Sequence, residues 1–123
     1  MNLWLAAAAV IAALTTLIHA WLGGREIAAP LLAAERLRNV PKYTMYYCWH
    51  LVTIILAGQA LAFTLAASGR ASRDLAIFAP AGAALFAAWS LGMIGGFRLR
   101  PAHFPQWALF TPMTACGALG LWW

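Results

Sequence analysis

Charged residues are confined to three short stretches of this chain, at 23–42, 68–74 and 98–104. The segments around them are apolar and about 20 residues long, the length that an α-helix needs to cross about 30 Å of hydrocarbon. Only 9% of the residues are charged and 64% are hydrophobic, whereas a soluble domain carries about 25% charged residues. A small water-soluble fold buries too little of its surface to hide so many apolar side chains. The pattern therefore predicts helices that lie in a membrane.

Four apolar segments define the predicted architecture, within one transmembrane domain that covers residues 1–123. The expected spans are at about 3–22, 43–67, 75–97 and 105–123. Gly23-Gly24 is expected to end the first span, and Pro30 to begin a short interfacial helix. The predicted fold class is an all-α, membrane-embedded, up-down-up-down four-helix bundle with a short interfacial helix after span one. The first segment lacks a basic stretch before its apolar run, so we interpret it as a retained helix.

The distribution of basic residues predicts the orientation of this bundle. The gaps at 23–42 and 98–104 together hold six Lys or Arg residues, and the gap at 68–74 holds two. Cytoplasmic loops carry the excess of Lys and Arg. We therefore expect loops 23–42 and 98–104 to be cytoplasmic and both termini periplasmic. The net charge of +5 comes from these residues flanking the spans, which normally meet anionic lipid. The lipid bilayer is thus an expected partner, and nucleic acid is excluded.

Two ionisable side chains, His19 and His50, lie inside predicted spans. Such groups are costly in a membrane, so each needs a partner or a function. His19 lies about 5 Å from the end of the first span and His50 about 10 Å into the second, which brings them to similar depths in antiparallel neighbours. By helical periodicity His19 shares a face with Thr15, and His50 shares one with Tyr46 and Thr53. If these faces turn toward each other, they form a polar pocket near the cytoplasmic interface.

The predicted pocket also includes residues from the charged gaps. The candidate set is His19, Glu26, Tyr46, His50, Thr53, His103 and Gln106. Imidazole and carboxylate groups can bind metal, which makes His19, His50 and Glu26 metal candidates, although no tight HxxxH or HxxE spacing supports a site. The alternatives are haem ligation by the two histidines, a protonatable or quinone-binding pocket, and polar packing that only sets helix register. The sequence leaves the cofactor unknown.

Small and polar residues elsewhere indicate helix packing. Gly92-x-x-x-Gly96 favours a close helix approach, either within the bundle or between two copies of the chain. Gln59, near the middle of its span, is expected to hydrogen-bond a neighbouring helix. Cys48 and Cys116 form no CxxC motif and are interpreted as packing residues.

Several short motifs are shared with a known group of proteins. These motifs are His19 with Gly23-Gly24-x-Glu26, then Trp49-His50-x-x-Thr53, and Pro105-Gln106-Trp107-x-Leu109-Phe110 with Pro112. In them the chain resembles small four-span integral membrane proteins of proteobacteria whose function is unknown. The resemblance implies a protein of the bacterial inner membrane, and it implies no activity.

Three classes of function remain open at this point. No phosphate loop, nucleophile elbow or Cys/His cluster is present in the sequence. The small size favours a non-catalytic accessory or structural subunit that packs against a larger, energy-converting membrane complex or against itself. The alternative is a small membrane enzyme or a cofactor-, quinone- or metal-binding protein that uses His19, His50 and Glu26. The third is a small transporter that dimerises through Gly92 and Gly96.

Overall fold

The computed structural model describes residues 1–122, and these residues form helices and short connections without any strand. Trp123, with which the fourth predicted span ends, lies outside the described residues. The helices are α1 (Leu3–Ala33), α2 (Asn39–Ala67), α3 (Arg73–Phe97) and α4 (Gln106–Trp122). The first three are long and apolar enough to cross a membrane. Helix α4 has 17 residues, at the lower limit of about 17–25 for a spanning helix.

Helix α1 continues beyond the point at which we expected it to end. The prediction of a helix end at Gly23-Gly24 is wrong, and the short helix expected at Pro30 is present at Ala29–Ala33 as a continuation of α1. The α-helix of Leu3–Leu17 passes into a π-helix at Ile18–Ala28 and returns to an α-helix at Ala29–Ala33. Glycine ends helices by local preference, but a tertiary contact can override that preference. Here the indole of Trp49 packs against Gly23 while the backbone stays helical.

Asn2 joins the start of α1 to the ends of two other helices. Its Oδ1 accepts hydrogen bonds from the backbone N–H groups of Trp4 and Leu5, both at 3.1 Å, and so caps the helix. Its backbone N–H donates to the carbonyl of Ala67 at 3.0 Å, and its Nδ2 donates to the carbonyl of Gly120 at 2.7 Å. The start of α1 therefore lies beside the C-terminal ends of α2 and α4.

The core extends from this end, at Leu5 and Ala67, toward the cavity, where Leu56 and Phe110 belong to it. Phe63 and Met113 are its largest fully buried side chains. Helix α4 lies close to its neighbours at two glycines: a Cβ at Gly117 would lie 2.7 Å from the Cβ of Pro80, and one at Gly120 would lie 2.5 Å from the Cγ of Leu5. The absence of side chains at these two positions lets α4 pack tightly against α3 and α1.

Helix α3 is joined to α2 by the hydrogen bond that we expected of Gln59. Its Nε2 donates to the carbonyl of Ala79 at 2.9 Å, which confirms that Gln59 bonds a neighbouring helix. The expected close packing at Gly92 and Gly96 is not made within the described part of the chain. Both glycines lack a close neighbour, since a Cβ at either would meet no atom within 4 Å. The alternative of a contact between two copies stays a prediction.

Candidate functional site

A cavity of about 680 Å³ lies between α1, α2 and the beginning of α4. It is found at the end of the molecule where residues 34–38 connect α1 to α2 and residues 98–105 connect α3 to α4. The lining residues are Thr15, Ile18, His19, Leu22, Gly23, Glu26, Ile27, Leu31, Met45, Cys48, Trp49, Val52, Leu56, His103, Pro105, Gln106, Leu109 and Phe110.

Trp49 and His19 form one wall of this cavity. Their rings are stacked with centroids 3.9 Å apart and an interplanar angle of 17°. The Nε2 of His19 lies 3.3 Å from the backbone carbonyl oxygen of Trp49, and the hydroxyl of Thr53 donates to the same oxygen at 3.1 Å. On the α1 side, a Cβ at Gly23 would lie 2.6 Å from Cη2 of Trp49. The stack therefore occupies space that a side chain at Gly23 would fill.

The π-helix of α1 supplies a large share of the lining. Its residues in the cavity are Ile18, His19, Leu22, Gly23, Glu26 and Ile27. A π-helix is rare because its i→i+5 hydrogen bonds widen the turn, and where it occurs it is often found at functional sites. Here it extends over 11 residues. The wider turns bring apolar, imidazole and carboxylate side chains from one helix segment to the same cavity.

Few polar atoms line the cavity. Thr15 is 3% exposed, and its hydroxyl donates to the carbonyl of Ile11 at 2.8 Å. The Oε1 of Gln106 is buried without a hydrogen-bond partner in the part of the chain that the structure describes. Glu26 and His103 are exposed. Because the Oε1 of Gln106 is buried, a molecule bound in the cavity would meet this side chain through its amide NH₂.

The structure brings together four of the seven residues predicted from the sequence: His19, Glu26, His103 and Gln106 line the cavity. Tyr46, His50 and Thr53 do not. Thr53 reaches the site only through the carbonyl of Trp49.

His50 lies outside the cavity because α2 buries a different face from the one we expected. The ring of His50 is exposed and meets Tyr46 edge-on, with centroids 4.6 Å apart. Ala57 and Thr64, which share the face of His50, are exposed as well, while Leu56 and Phe63 are buried. Burying large apolar side chains stabilises a protein more than burying small or polar ones. The structure thus places His19 in the cavity and His50 outside it.

The metal and haem alternatives lose their geometric basis in this arrangement. Within residues 1–122, no group of three or more His, Cys, Asp or Glu side chains is placed to hold a metal ion. His19 lines the cavity and His50 does not, so the two histidines do not share this cavity.

Sequence patterns do not identify Trp49, Gly23 or the apolar lining as parts of the site. The position of Trp49 near the start of its span indicates an aromatic residue at the headgroup level, where Trp is common. The signal that could have identified it is its depth, because antiparallel pairing of α1 and α2 places Trp49 level with His19 and Gly23. Apolar residues such as Val52 and Leu109 give no signal, since a cavity wall and a lipid-facing surface have the same composition.

Comparisons with protein-family models, with curated proteins and with solved structures gave no match. The resemblance to small four-span membrane proteins of proteobacteria therefore stays a prediction.

Proposed function

We propose that this chain is an integral protein of the bacterial inner membrane whose four helices cross the bilayer as an up-down-up-down bundle. Three helices of membrane length support this arrangement. So do large apolar side chains on the outer surface, where Trp21, Phe78 and Trp89 are each 73% exposed. Extended apolar patches of this kind are rare on soluble monomers. The excess of basic residues at 23–42 and 98–104 orients the cavity end toward the cytoplasm.

The proposed function is the binding of a small amphiphilic molecule in the cavity beside His19 and Trp49. The observation that carries this proposal is the cavity itself, with its apolar walls and its few polar groups on α1 and α4. Small-molecule sites are typically concave and mostly apolar, with a few polar groups that orient the ligand. A volume of about 680 Å³ lies within the usual range for such sites.

The position of the cavity suits a ligand drawn from the bilayer. Ile18, Leu22 and Val52 line it and are exposed on the outer surface, so an apolar ligand body would pass from lipid into the cavity without crossing water. His19, Glu26 and Gln106 would hold its polar head near the interface. Binding of this kind requires no covalent chemistry from the chain.

Analysis of co-purifying small molecules tests the proposal. We expect mass spectrometry of the protein in mild detergent to detect a retained amphiphile, and we expect Leu109→Trp, which places a bulkier side chain in the cavity, to retain much less of it. Leu85→Trp is the matched control, because Leu85 is 71% exposed on α3 and lies outside the cavity. Identical retained molecules in the wild type and in Leu109→Trp would contradict the proposal.

A second candidate function is that of a non-catalytic accessory subunit of a larger membrane complex. The observation that favours it is the uncovered backbone of α3 at Gly92, Gly95 and Gly96, where a Cβ would meet no atom within 4 Å. Small residues at a helix surface let another membrane helix approach closely. A helix of another subunit could therefore pack at this position.

Purification from the native membrane tests the second candidate. We expect a larger complex to co-purify with the wild type and to be lost when Gly92 and Gly96 are both changed to Leu. Gly58→Leu on α2 is the control, because a Cβ there also meets no atom within 4 Å. A wild-type protein that emerges alone from gentle detergent would exclude this function.

A further inference from the structure

We infer that the cavity is built for an amphiphile whose head is a hydroxyl group, as in an alcohol or a phenol with an apolar body. This inference rests on the proposed function and names the chemical class of the ligand. It follows from which polar atoms of the cavity side chains already form hydrogen bonds and which of them can still bind a ligand.

His19 offers an acceptor. Its Nε2 lies 3.3 Å from the carbonyl oxygen of Trp49, and a carbonyl oxygen can only accept, so Nε2 carries the ring proton. In a neutral imidazole the other nitrogen, Nδ1, is then an acceptor. The neutral form is the one that a membrane environment favours, since a charge at this depth is costly.

Gln106 offers a donor. The Oε1 of this side chain is buried, so its amide NH₂ is the part that a ligand can reach. Thr15 is 3% exposed and its hydroxyl donates to the carbonyl of Ile11, so it offers a ligand little. Glu26, when ionised, can only accept. The cavity therefore presents acceptors from α1 and a donor from α4.

A hydroxyl head matches this set better than other polar heads do. A ketone, ether or carboxylate head could accept from the amide NH₂ of Gln106 but would leave the acceptor of His19 unpaired. A hydroxyl group can donate to His19 and accept from the amide NH₂ of Gln106 at the same time. An ammonium head would need a buried carboxylate, whereas Glu26 is exposed.

Cys48 provides a readout within the cavity, and Cys116 provides an internal control outside it. Cys48 is exposed and lines the cavity, whereas Cys116 is half-buried on α4 and does not line it. A bound ligand should slow the reaction of Cys48 with N-ethylmaleimide and leave that of Cys116 unchanged. Peptide mass spectrometry resolves the two sites in the wild-type protein, so this readout requires no substitution.

The probes are 4-octylphenol and its methyl ether, 4-octylanisole, which have nearly the same shape and differ in the hydroxyl proton. We expect the phenol to protect Cys48 at a concentration about tenfold lower than the anisole does, because only the phenol can donate a hydrogen bond to His19; this factor corresponds to about 1.4 kcal/mol. We also expect the phenol to raise the melting temperature more than the anisole does at equal concentration, because a ligand that binds the folded state raises its stability.

A substitution at His19 tests whether the preference for the phenol over the anisole arises at this side chain. His19→Phe keeps a ring that can stack on Trp49 and removes the acceptor, so it should reduce the preference for the phenol from about tenfold to less than about threefold. His50→Phe, outside the cavity, should leave that preference unchanged. If the substitution at His19 prevents folding, the comparison of the two probes on the wild type still decides the inference.

Failure of this inference is distinguishable from failure of the proposed function. Equal protection of Cys48 by phenol and anisole would overturn the hydroxyl preference and leave amphiphile binding intact. Stronger protection by octylamine or octanoate than by the phenol would overturn it in favour of a charged head. Absence of both protection and a melting-temperature change with all four compounds would count against the inference and against the proposed amphiphile site.

Discussion

Single residues decide the shape of the cavity wall. Gly23 carries no side chain where the indole of Trp49 approaches α1, and Trp49 in turn stacks on His19. A Cβ at the adjacent Gly24 would meet no atom within 4 Å. The two neighbouring glycines therefore differ in role: Gly23 makes room for an aromatic ring, and Gly24 borders open space.

Replacing Gly23 by Ala should displace the indole of Trp49 and disturb its stack on His19. Because the clash is with the far end of a side chain that can move, we expect a modest loss of unfolding free energy, about 1 kcal/mol, together with weaker ligand retention. Gly24→Ala is the matched control and should retain both stability and ligand. Mass spectrometry of retained molecules and unfolding in mixed detergent micelles measure the two effects. Equal behaviour of the two variants would contradict this role of Gly23.

Asn2 acts at the other end of α1, where it caps the helix and holds Gly120 of α4. Asn2→Ala removes both interactions and should lower the unfolding free energy by about 1–2 kcal/mol, measured by unfolding in mixed detergent micelles. Asn2→Asp keeps an oxygen that can cap the helix and removes the donor to Gly120, so its loss should be smaller. If the Asp variant is as unstable as the Ala variant, the cap contributes nothing measurable.

At the scale of whole helices, close packing is made where glycines meet atoms that cannot move aside. Gly117 of α4 faces the ring of Pro80, and Gly120 faces Leu5, including its backbone nitrogen at 3.1 Å. The GxxxG pair of α3 makes no such contact within the described residues. The spacing of glycines alone does not distinguish the two cases, because small residues permit a close approach and do not determine which helix makes it.

Gly117→Ala should therefore be more damaging than the same change in α3. A Cβ at Gly117 would lie 2.7 Å from the Cβ of Pro80, and such overpacking costs about 1–3 kcal/mol. Gly92→Ala should cause no loss and could add up to about 1 kcal/mol, since Ala is the better helix former. Unfolding of both variants in the same micelles measures the difference. A loss at Gly92 as large as that at Gly117 would show that the α3 glycines are covered, as by a second copy.

At the scale of the whole molecule, the basic loops and the cavity lie at the same end. The cavity is lined by residues between Thr15 and Leu31, between Met45 and Leu56, and between His103 and Phe110. The opposite end contains the close contacts of Asn2, Leu5 and Gly120. The molecule thus has one tightly packed end and one end that is open between its helices.

The proposed orientation predicts the locations of two reporters. Alkaline phosphatase, which is active only in the periplasm, should be active when fused to the C-terminus. A green fluorescent protein inserted after Glu35 should fluoresce, because we place loop 23–42 in the cytoplasm. If a green fluorescent protein at the C-terminus were fluorescent and the phosphatase fusion inactive, the results would contradict this orientation and support the reverse one. The cavity would then face the periplasm.

The sequence alone determined that the chain is helical and which segments are apolar. These properties follow from local composition and from the spacing of charges, and α2, α3 and α4 begin and end within a few residues of the expected positions. It also indicated the end of the molecule at which polar residues gather, since His19, Glu26, His103 and Gln106 all border the cavity.

Tertiary structure decided the rotation of α2, the continuation of α1 past Gly23-Gly24 and the identity of the tightly packed glycines. Rotation depends on which of two plausible faces buries more apolar area, and Leu56 with Phe63 outweighs the polar face of His50. Where α1 continues, Gly23 lies against Trp49, which is distant in the chain and contacts it only in the folded protein. Each of these outcomes is a contact between distant residues, and local sequence patterns carry no information about which distant residues meet.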